Sequence, residues 1–329
     1  MAAPLEIVQL AEGTPVERWT IVKKLGEGGF GAVYRVTDGS GDFALKVEGV
    51  GEAIQVLKME VFVLSELAKR GGRHFCKIED RGRFGAFNYV VMNLVGKSLH
   101  DLRKAQPSSH FSLGTAIGCG IQCLEALEDL HGIGDVKPGN YTVGRAEVNE
   151  LRKVYILDFG MCRKFTDDRG VIRKPRQAAG FRGTIRYASI ACHLQRELSR
   201  KESWFVASTQ RSNLACRVYM LAELVHASIP WRKIQEINEV YHAKRKAREE
   251  AGMRELFAGC PPEFSDILKH VDSLKFYGTP DYTMIYALMR RAFETMKVEE
   301  FPQVLLSLHF FHVPPCSYDW EKPAAPLSA

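Results

Sequence analysis

The sequence predicts an α+β fold in two lobes, a small antiparallel β-sheet lobe with one main helix followed by a larger, mainly helical lobe. Two observations carry that reading. Apolar residues alternate on both sides of a glycine-rich turn near the N-terminus, as in a β-hairpin. Beyond residues 93–96 the apolar spacing changes from strand-like to helical, which places the boundary between the lobes there.

Taken in order, residues 1–18 read as a loose arm. From Trp19 to Leu25 the pattern alternates, enters Gly26-Glu27-Gly28-Gly29-Phe30-Gly31, and resumes over Ala32–Val36. A dinucleotide-binding turn would open a helix at this point. Here a β-branched and aromatic strand follows, so the glycines suit backbone amides lying over nucleotide phosphates; the bland alternative is a glycine-rich hairpin alone. Phe43–Glu48 is a strand with one lysine, Lys46, among apolar neighbours. Ala53–Ala68 carries Ile54, Leu57, Val61, Leu64 and Leu67 at helical spacing, with Glu60 on the same helix. Taken singly, Lys46 reads as a surface lysine and Glu60 as a solvated charge. A buried lysine is costly unless paired, and their joint appearance after the glycine loop favours a phosphate-holding pair. Phe87–Met92 is a further strand, Asn93–Gly96 a connector, and Leu99–Lys104 and Leu113–His131 are helices.

The most informative stretch is Asp135-Val136-Lys137-Pro138-Gly139-Asn140, followed by Leu157-Asp158-Phe159-Gly160 after the apolar run Val154–Leu157. Phosphoryl transfer needs a carboxylate at the acceptor hydroxyl, a cation on the moving phosphate, and a carboxylate and an amide on magnesium. Asp-Phe-Gly alone occurs by chance; the two motifs in this order are far more specific.

Composition sets the limits. The 329 residues suffice for one large domain or two lobes, and 46% hydrophobic with 26% charged residues is ordinary for a soluble globular chain. The net charge of +6 is mild. Arg163–Arg186, however, holds eight Lys or Arg against Asp167 and Asp168, a field that favours an anionic partner unless the stretch is only a solvated loop. The eight cysteines form no Cys-x-x-Cys pair, and Cys119 and Cys123 read as core packing. With nothing resembling a signal peptide, the expected location is cytoplasmic, with nuclear access open. The best apolar run, Val304–Val313, is too short to span a bilayer. No aromatic-interleaved basic sheet or recognition helix suggests specific nucleic-acid binding.

These residues together make the chain resemble a eukaryotic protein kinase over residues 19–300, with a small lobe at 19–95, a large lobe at 96–300 and a tail at 301–329. The resemblance is to the casein kinase 1 superfamily, most of all its tau-tubulin kinase branch. It rests on Ala44–Glu48, Val56–Glu60, Phe87–Met92, Gly180–Ile190, Pro230–Ile234 and Tyr318–Glu321. It implies a bilobal protein-kinase-like fold, and ATP and Mg2+ as cofactors. Gly26, Gly28 and Gly31 would form the phosphate loop, Val33 would pack on adenine, and Lys46 would bridge the phosphates and Glu60. Met92 would be the gatekeeper, with Asn93–Val95 as hinge backbone. Asp135 would be the catalytic base, Lys137 the γ-phosphate cation, and Asn140 and Asp158 the metal ligands. Thr184 and Arg186 would lie in the substrate loop, Arg186 against a phosphate or acidic side chain. The implied partners are acidic, phosphate-primed or cytoskeletal protein substrates.

The chain also departs from the family pattern. Ile133 and Gly134 stand where relatives have His-Arg before the base, and the spacer from His131 is shortened. No Asp occurs between Asp168 and Asp266, where an acid normally fixes the catalytic loop. Val206–Val218 interrupts the expected run from Phe205 into Tyr219, and Val304–Ser317 separates the domain end from Tyr318. Missing and extra pieces suit altered exon boundaries or an erroneous gene model. The competing account is a catalytically weak pseudokinase scaffold that still binds nucleotide. The end of the tail, Lys322–Ala329, is Pro/Ala-rich and expected to be disordered.

Overall fold

The computed structural model describes residues 8–29, 31–51, 55–132, 141–160, 162, 169, 185–188, 190–193, 198–199, 203–204, 210–274, 278–301 and 317–321. The first part is a six-stranded antiparallel sheet of β1 (Pro15–Val16), β2 (Trp19–Gly28), β3 (Gly31–Thr37), β4 (Asp42–Gly49), β5 (Ile78–Phe84) and β6 (Phe87–Asn93). Its spatial order is β1-β2-β3-β4-β6-β5. The period-two pattern divides the side chains between two cores. Tyr34, Val36, Leu45, Val47, Tyr89 and Val91 pack on one face. Ala44, Val90 and Met92 point to the other, where helix α1 (Val56–Lys69) lays down Leu57, Val63, Leu64 and Leu67.

The arm expected over residues 1–18 is tied down from Val8 onward. The Tyr34 hydroxyl donates to the Val8 carbonyl (3.0 Å) and accepts from the Leu10 amide (3.1 Å). Val16 is fully buried and its strand pairs with β2.

The second part is helical. It contains α2 (Leu99–Lys104), α3 (Leu113–Gly132), α4 (Ile190–His193), α5 (Gln210–His226), α6 (Ile237–Lys246), α7 (Glu250–Leu256), α8 (Glu263–Ser273) and α9 (Tyr282–Met296). Between α3 and α4 lies the hairpin of β7 (Tyr141–Val143) and β8 (Val154–Ile156); β9 (Leu198–Ser199) and β10 (Ser203–Trp204) follow α4. Helix α3 is buried on nearly all sides, because α5, α9 and β8 surround it. Cys119 and Cys123 sit in that core as free thiols. No helix among the described residues is long and apolar enough to cross a membrane.

Tyr318–Glu321, in the tail beyond residue 300, clips onto α3. Tyr318 is fully buried, stacks on Trp320 at 4.7 Å and accepts a hydrogen bond from Gln122 (3.0 Å). Asp319 takes the amide and hydroxyl of Ser112 at the start of α3 (2.6 and 2.8 Å), and Glu321 pairs with the buried Arg152 (2.7 Å).

Two features of the helical core carry predictions. Arg217 on α5 borders an apolar cavity lined by Cys123, Leu124, Val218, Ile285 and Met289, with its guanidinium 4.4 Å over the Tyr141 ring. Its Nε and Nη2 are buried and have no hydrogen-bond partner among the described residues. A buried, unsatisfied guanidinium costs more than an unbranched apolar chain of similar reach. Arg217→Met is therefore expected to raise stability by about 1–3 kcal/mol, read as a higher urea midpoint at unchanged slope; a lower midpoint would refute it.

Burial, followed by the charge of Arg217, pushes His131 down to about 3, and burial, followed by Lys244, pushes His193 down to about 4. Both pKa values are depressed on folding from an ordinary 6.5, so between pH 6.5 and these values the unfolded chain holds more protons than the folded one. Stability therefore falls as pH drops below 6.5, by an amount on the order of 2 kcal/mol per histidine at pH 5. Melting temperatures recorded from pH 7 to 5 should fall, and less steeply in His193→Gln; parallel curves would exclude His193 as a source.

Candidate active site

Three segments meet where the sheet faces the helical part. The first is the glycine turn, in which Gly28 pairs with Gly31 and Gly26 with Val33. A Cβ on Gly31 would lie 1.9 Å from the Val47 carbonyl oxygen, so close backbone approach requires glycine there. A Cβ on Gly26 or Gly28 would meet nothing within 4 Å among the described residues, so their packing does not account for those two glycines.

The second segment is β4 with its helix. Val33 and Val90 flank Lys46 on the neighbouring strands. Its ammonium lies 2.5 Å from Glu60 on α1 and 3.7 Å from Asp158. Burial on its own would lower the Lys46 pKa, but the Glu60 and Asp158 carboxylates outweigh it and hold the pKa above its ordinary value. Two residues on, along the same face, Glu48 accepts the Val56 amide at the start of α1. Strand and helix are thus tied at two points, one turn apart.

The third segment follows β8. Asp158 has φ +70°, a left-handed conformation that costs a non-glycine residue about 1 kcal/mol or more. Its side chain is 47% exposed beside Lys46, while Phe159 turns inward and packs on Phe75 at 5.9 Å. A Cβ on Gly160 would stand 2.7 Å from Cβ of Val56, so this backbone abuts the start of α1 directly. The His74 carbonyl, accepting from the Ile156 amide (2.9 Å), ties β8 to the segment after α1.

Behind Lys46, Ala44 lies opposite Met92, which is paired on its other side with Ile78. Met92 is buried, Val33 and Val95 are partly buried, and together with Ala44 they form an apolar wall. At the connector, the Gly96 amide donates to the Val143 carbonyl (2.8 Å).

Arg186 and Tyr187 meet a buried carboxylate on α5, Glu223. Arg232 approaches it at 3.2 Å, Arg186 at 3.5 Å and Arg103 at 3.7 Å, and the Tyr187 hydroxyl donates to its second oxygen. Burial, followed by Glu223, pushes the Tyr187 hydroxyl up to about 12, so it stays protonated and donates. Three guanidiniums share one carboxylate, leaving excess positive charge. The Arg186 and Arg232 side chains remain 31% and 30% exposed.

The curated proteins that the chain resembles in sequence are protein kinases. The chain is 33% identical over 304 residues to a probable serine/threonine-protein kinase of Dictyostelium discoideum, covering 90% of this chain and 58% of that protein. It is 35% identical over 288 residues to the serine/threonine-protein kinase spe-6 of Caenorhabditis elegans, covering 84% and 72%. A putative casein kinase I of the same worm is 29% identical over 313 residues, covering 93% and 84%. No protein-family model matches the chain.

The chain belongs to the serine/threonine-protein kinase family.

Its sheet-and-helix architecture is the α+β kinase fold. Of the kinase residues expected from sequence, Gly26, Gly28, Gly31, Val33, Lys46, Glu60, Met92, Val95, Asp158 and Arg186 fall among the described residues. Asp135, Lys137, Asn140 and Thr184 lie outside them, as does most of the basic stretch 163–186. Sequence reading assigned no role to Ala44, Glu48, Arg103, Glu223, Arg232 and Lys244. Ala44 and Glu48 had a usable signal, since each is two positions from Lys46 and so shares its face. Arg103, Glu223 and Lys244 had none: each is one charge on a helix whose partners lie far away in sequence.

Proposed function

We propose that this chain transfers the γ-phosphate of ATP to serine or threonine hydroxyls of acidic or phosphate-primed proteins, as a member of the casein kinase 1 superfamily closest to its tau-tubulin kinase branch. The observation that carries the reading is the Lys46–Glu60 ion pair with Asp158 beside it. An ammonium held by a helical carboxylate, next to an exposed carboxylate, suits a nucleotide's phosphates and its metal. The described residues fit such a ligand. The turn leaves Gly26 and Gly28 unobstructed, Ala44, Val33, Met92 and Val95 offer an apolar slot, and Asp158 offers the hard oxygen donor that Mg2+ prefers.

In this reading Asp158 and Asn140 would hold Mg2+, which when bound would supply positive charge to neutralise the phosphates. Lys46 orients the phosphates, and Lys137 meets the transferring group. The acceptor oxygen bonds to the γ-phosphorus in line as the bond to the bridging oxygen breaks. The hydroxyl proton passes to Asp135, and ADP leaves. Positioning and charge neutralisation supply most of the acceleration. The preference for anionic substrates is supported by the Arg103, Arg186 and Arg232 cluster, whose charge exceeds that of Glu223.

The second reading is a scaffold that binds nucleotide without turnover. It is favoured by Ile133-Gly134 before Asp135, because a base displaced by about 1 Å loses on the order of 100-fold in rate. Radiolabelled transfer from ATP to a casein-like acidic substrate, with Asp158→Ala as control, separates the two. Transfer that the control abolishes supports the kinase. Magnesium-dependent nucleotide binding that needs Lys46, without transfer, supports the scaffold.

A further inference from the structure

The segment Ile185–Ala188 is held by side chains for which neither the motifs nor the relatives supply a role. Lys244, on α6, is fully buried. Its ammonium donates to the Ile185 carbonyl (2.7 Å) and the Ala188 carbonyl (2.6 Å), and lies 2.9 Å from Nε2 of His193. Trp231 Nε1 donates to the Arg186 carbonyl between them (2.7 Å). Three of four successive described carbonyls are therefore fixed by two side chains from outside the segment. The ammonium also lies 5.4 Å from the ring centres of both Tyr219 and Trp231, which stabilise a desolvated cation through their faces.

A cation spent on backbone carbonyls gives direction to what they carry. With the carbonyls of Ile185, Arg186 and Ala188 drawn inward, the Arg186 and Tyr187 side chains leave from a fixed frame and reach Glu223. The basic run Lys244-Arg245-Lys246 is therefore not a uniform exposed charge patch. Lys244 faces inward, while Arg248 beyond it pairs with Asp272 at 2.9 Å.

We propose that Lys244, seconded by Trp231, is a positioning residue for substrate specificity, setting the backbone of Ile185–Ala188 so that Arg186 and Arg232 present their excess charge to an anionic substrate. This rests on the kinase reading above for the meaning of the segment, but its test does not require turnover. Lys244→Met keeps an unbranched chain and removes the ammonium. Trp231→Phe keeps an aromatic ring and removes the Nε1 donor together with part of the buried indole's volume, and serves should Lys244→Met fail to fold.

The probe is a fluorescein-labelled acidic peptide carrying one phosphoserine, titrated against the whole chain with an ATP analogue and Mg2+ present. Its binding should weaken about 10-fold or more in either folded variant, while nucleotide affinity stays within about 2-fold. Where transfer is measurable, the KM for peptide should rise while the KM for ATP is retained. A purely structural role would instead lower the active fraction, reducing kcat at unchanged KM, and would overturn the proposal. Unchanged peptide binding in both variants, or an unmodified chain that does not bind the peptide, would also overturn it. Weakened binding in a chain that transfers no phosphate supports the proposal while removing the catalytic reading.

Discussion

Lys46→Met is expected to lower phosphoryl transfer by about 100- to 1,000-fold, the usual consequence of removing one preorganised charge from the phosphate site. Methionine keeps the unbranched stem that packs between Val33 and Val90, so the strand itself has no reason to shift. Two things are lost. In the proposed nucleotide complex the ammonium would no longer meet the phosphates, and Glu60, whose side chain is only 4% exposed, keeps a buried carboxylate without its lysine. The second loss loosens α1 and, through Val56, its contact with Gly160. Asp158→Ala should remove transfer to a similar extent by a different route, because its carboxylate is nearly half exposed and takes little part in packing. kcat/KM for an acidic peptide, with a melting curve for each variant, tests both. A residual rate within tenfold of the unmodified chain, in protein that folds normally, would remove Lys46 from the chemistry.

Tyr318→Ala is expected to destabilise the protein by about 3–5 kcal/mol, the range for emptying a buried aromatic site. The ring is wholly buried, stacks on Trp320 and meets Phe301 edge-on at 5.3 Å. Its hydroxyl accepts from Gln122 and stands against Gly118, where a Cβ would come within 3.0 Å of it. Removing it leaves a cavity beside α3 and frees Asp319 from the start of that helix. Tyr318→Phe should cost far less, about 1 kcal/mol, since it removes only one hydrogen bond. Urea unfolding of the two variants distinguishes these terms; an alanine variant within about 1 kcal/mol of the parent would show that the clip is dispensable.

The clip illustrates where sequence reading stops. Tyr318–Glu321 could be matched to relatives, yet its job is set by Ser112, Gln122 and Arg152, each far away along the chain. The arm is similar. Residues 8–18 lack a long apolar period, and only the Tyr34 hydroxyl and the edge of β2 give them a place. The interrupting segment 206–218 differs again: from Gln210 onward it continues the helical backbone of α5, and its charge at Arg217 enters the core without a counter-charge among the described residues.

Much of the geometry around the proposed nucleotide site was legible. Period-two alternation told strand from helix over Trp19–Glu48, and a lysine in such a strand followed by a glutamate on an amphipathic helix implied the pair that is observed at 2.5 Å. Backbone periodicity and glycine placement are local properties, so a single sequence determines them. The left-handed Asp158, the seat of Gly160 against Val56, the three arginines around Glu223 and the inward turn of Lys244 were decided only by the tertiary structure. Each depends on groups brought together from distant parts of the chain, where low dielectric and lost solvation determine which charges pair and which stay available for a ligand.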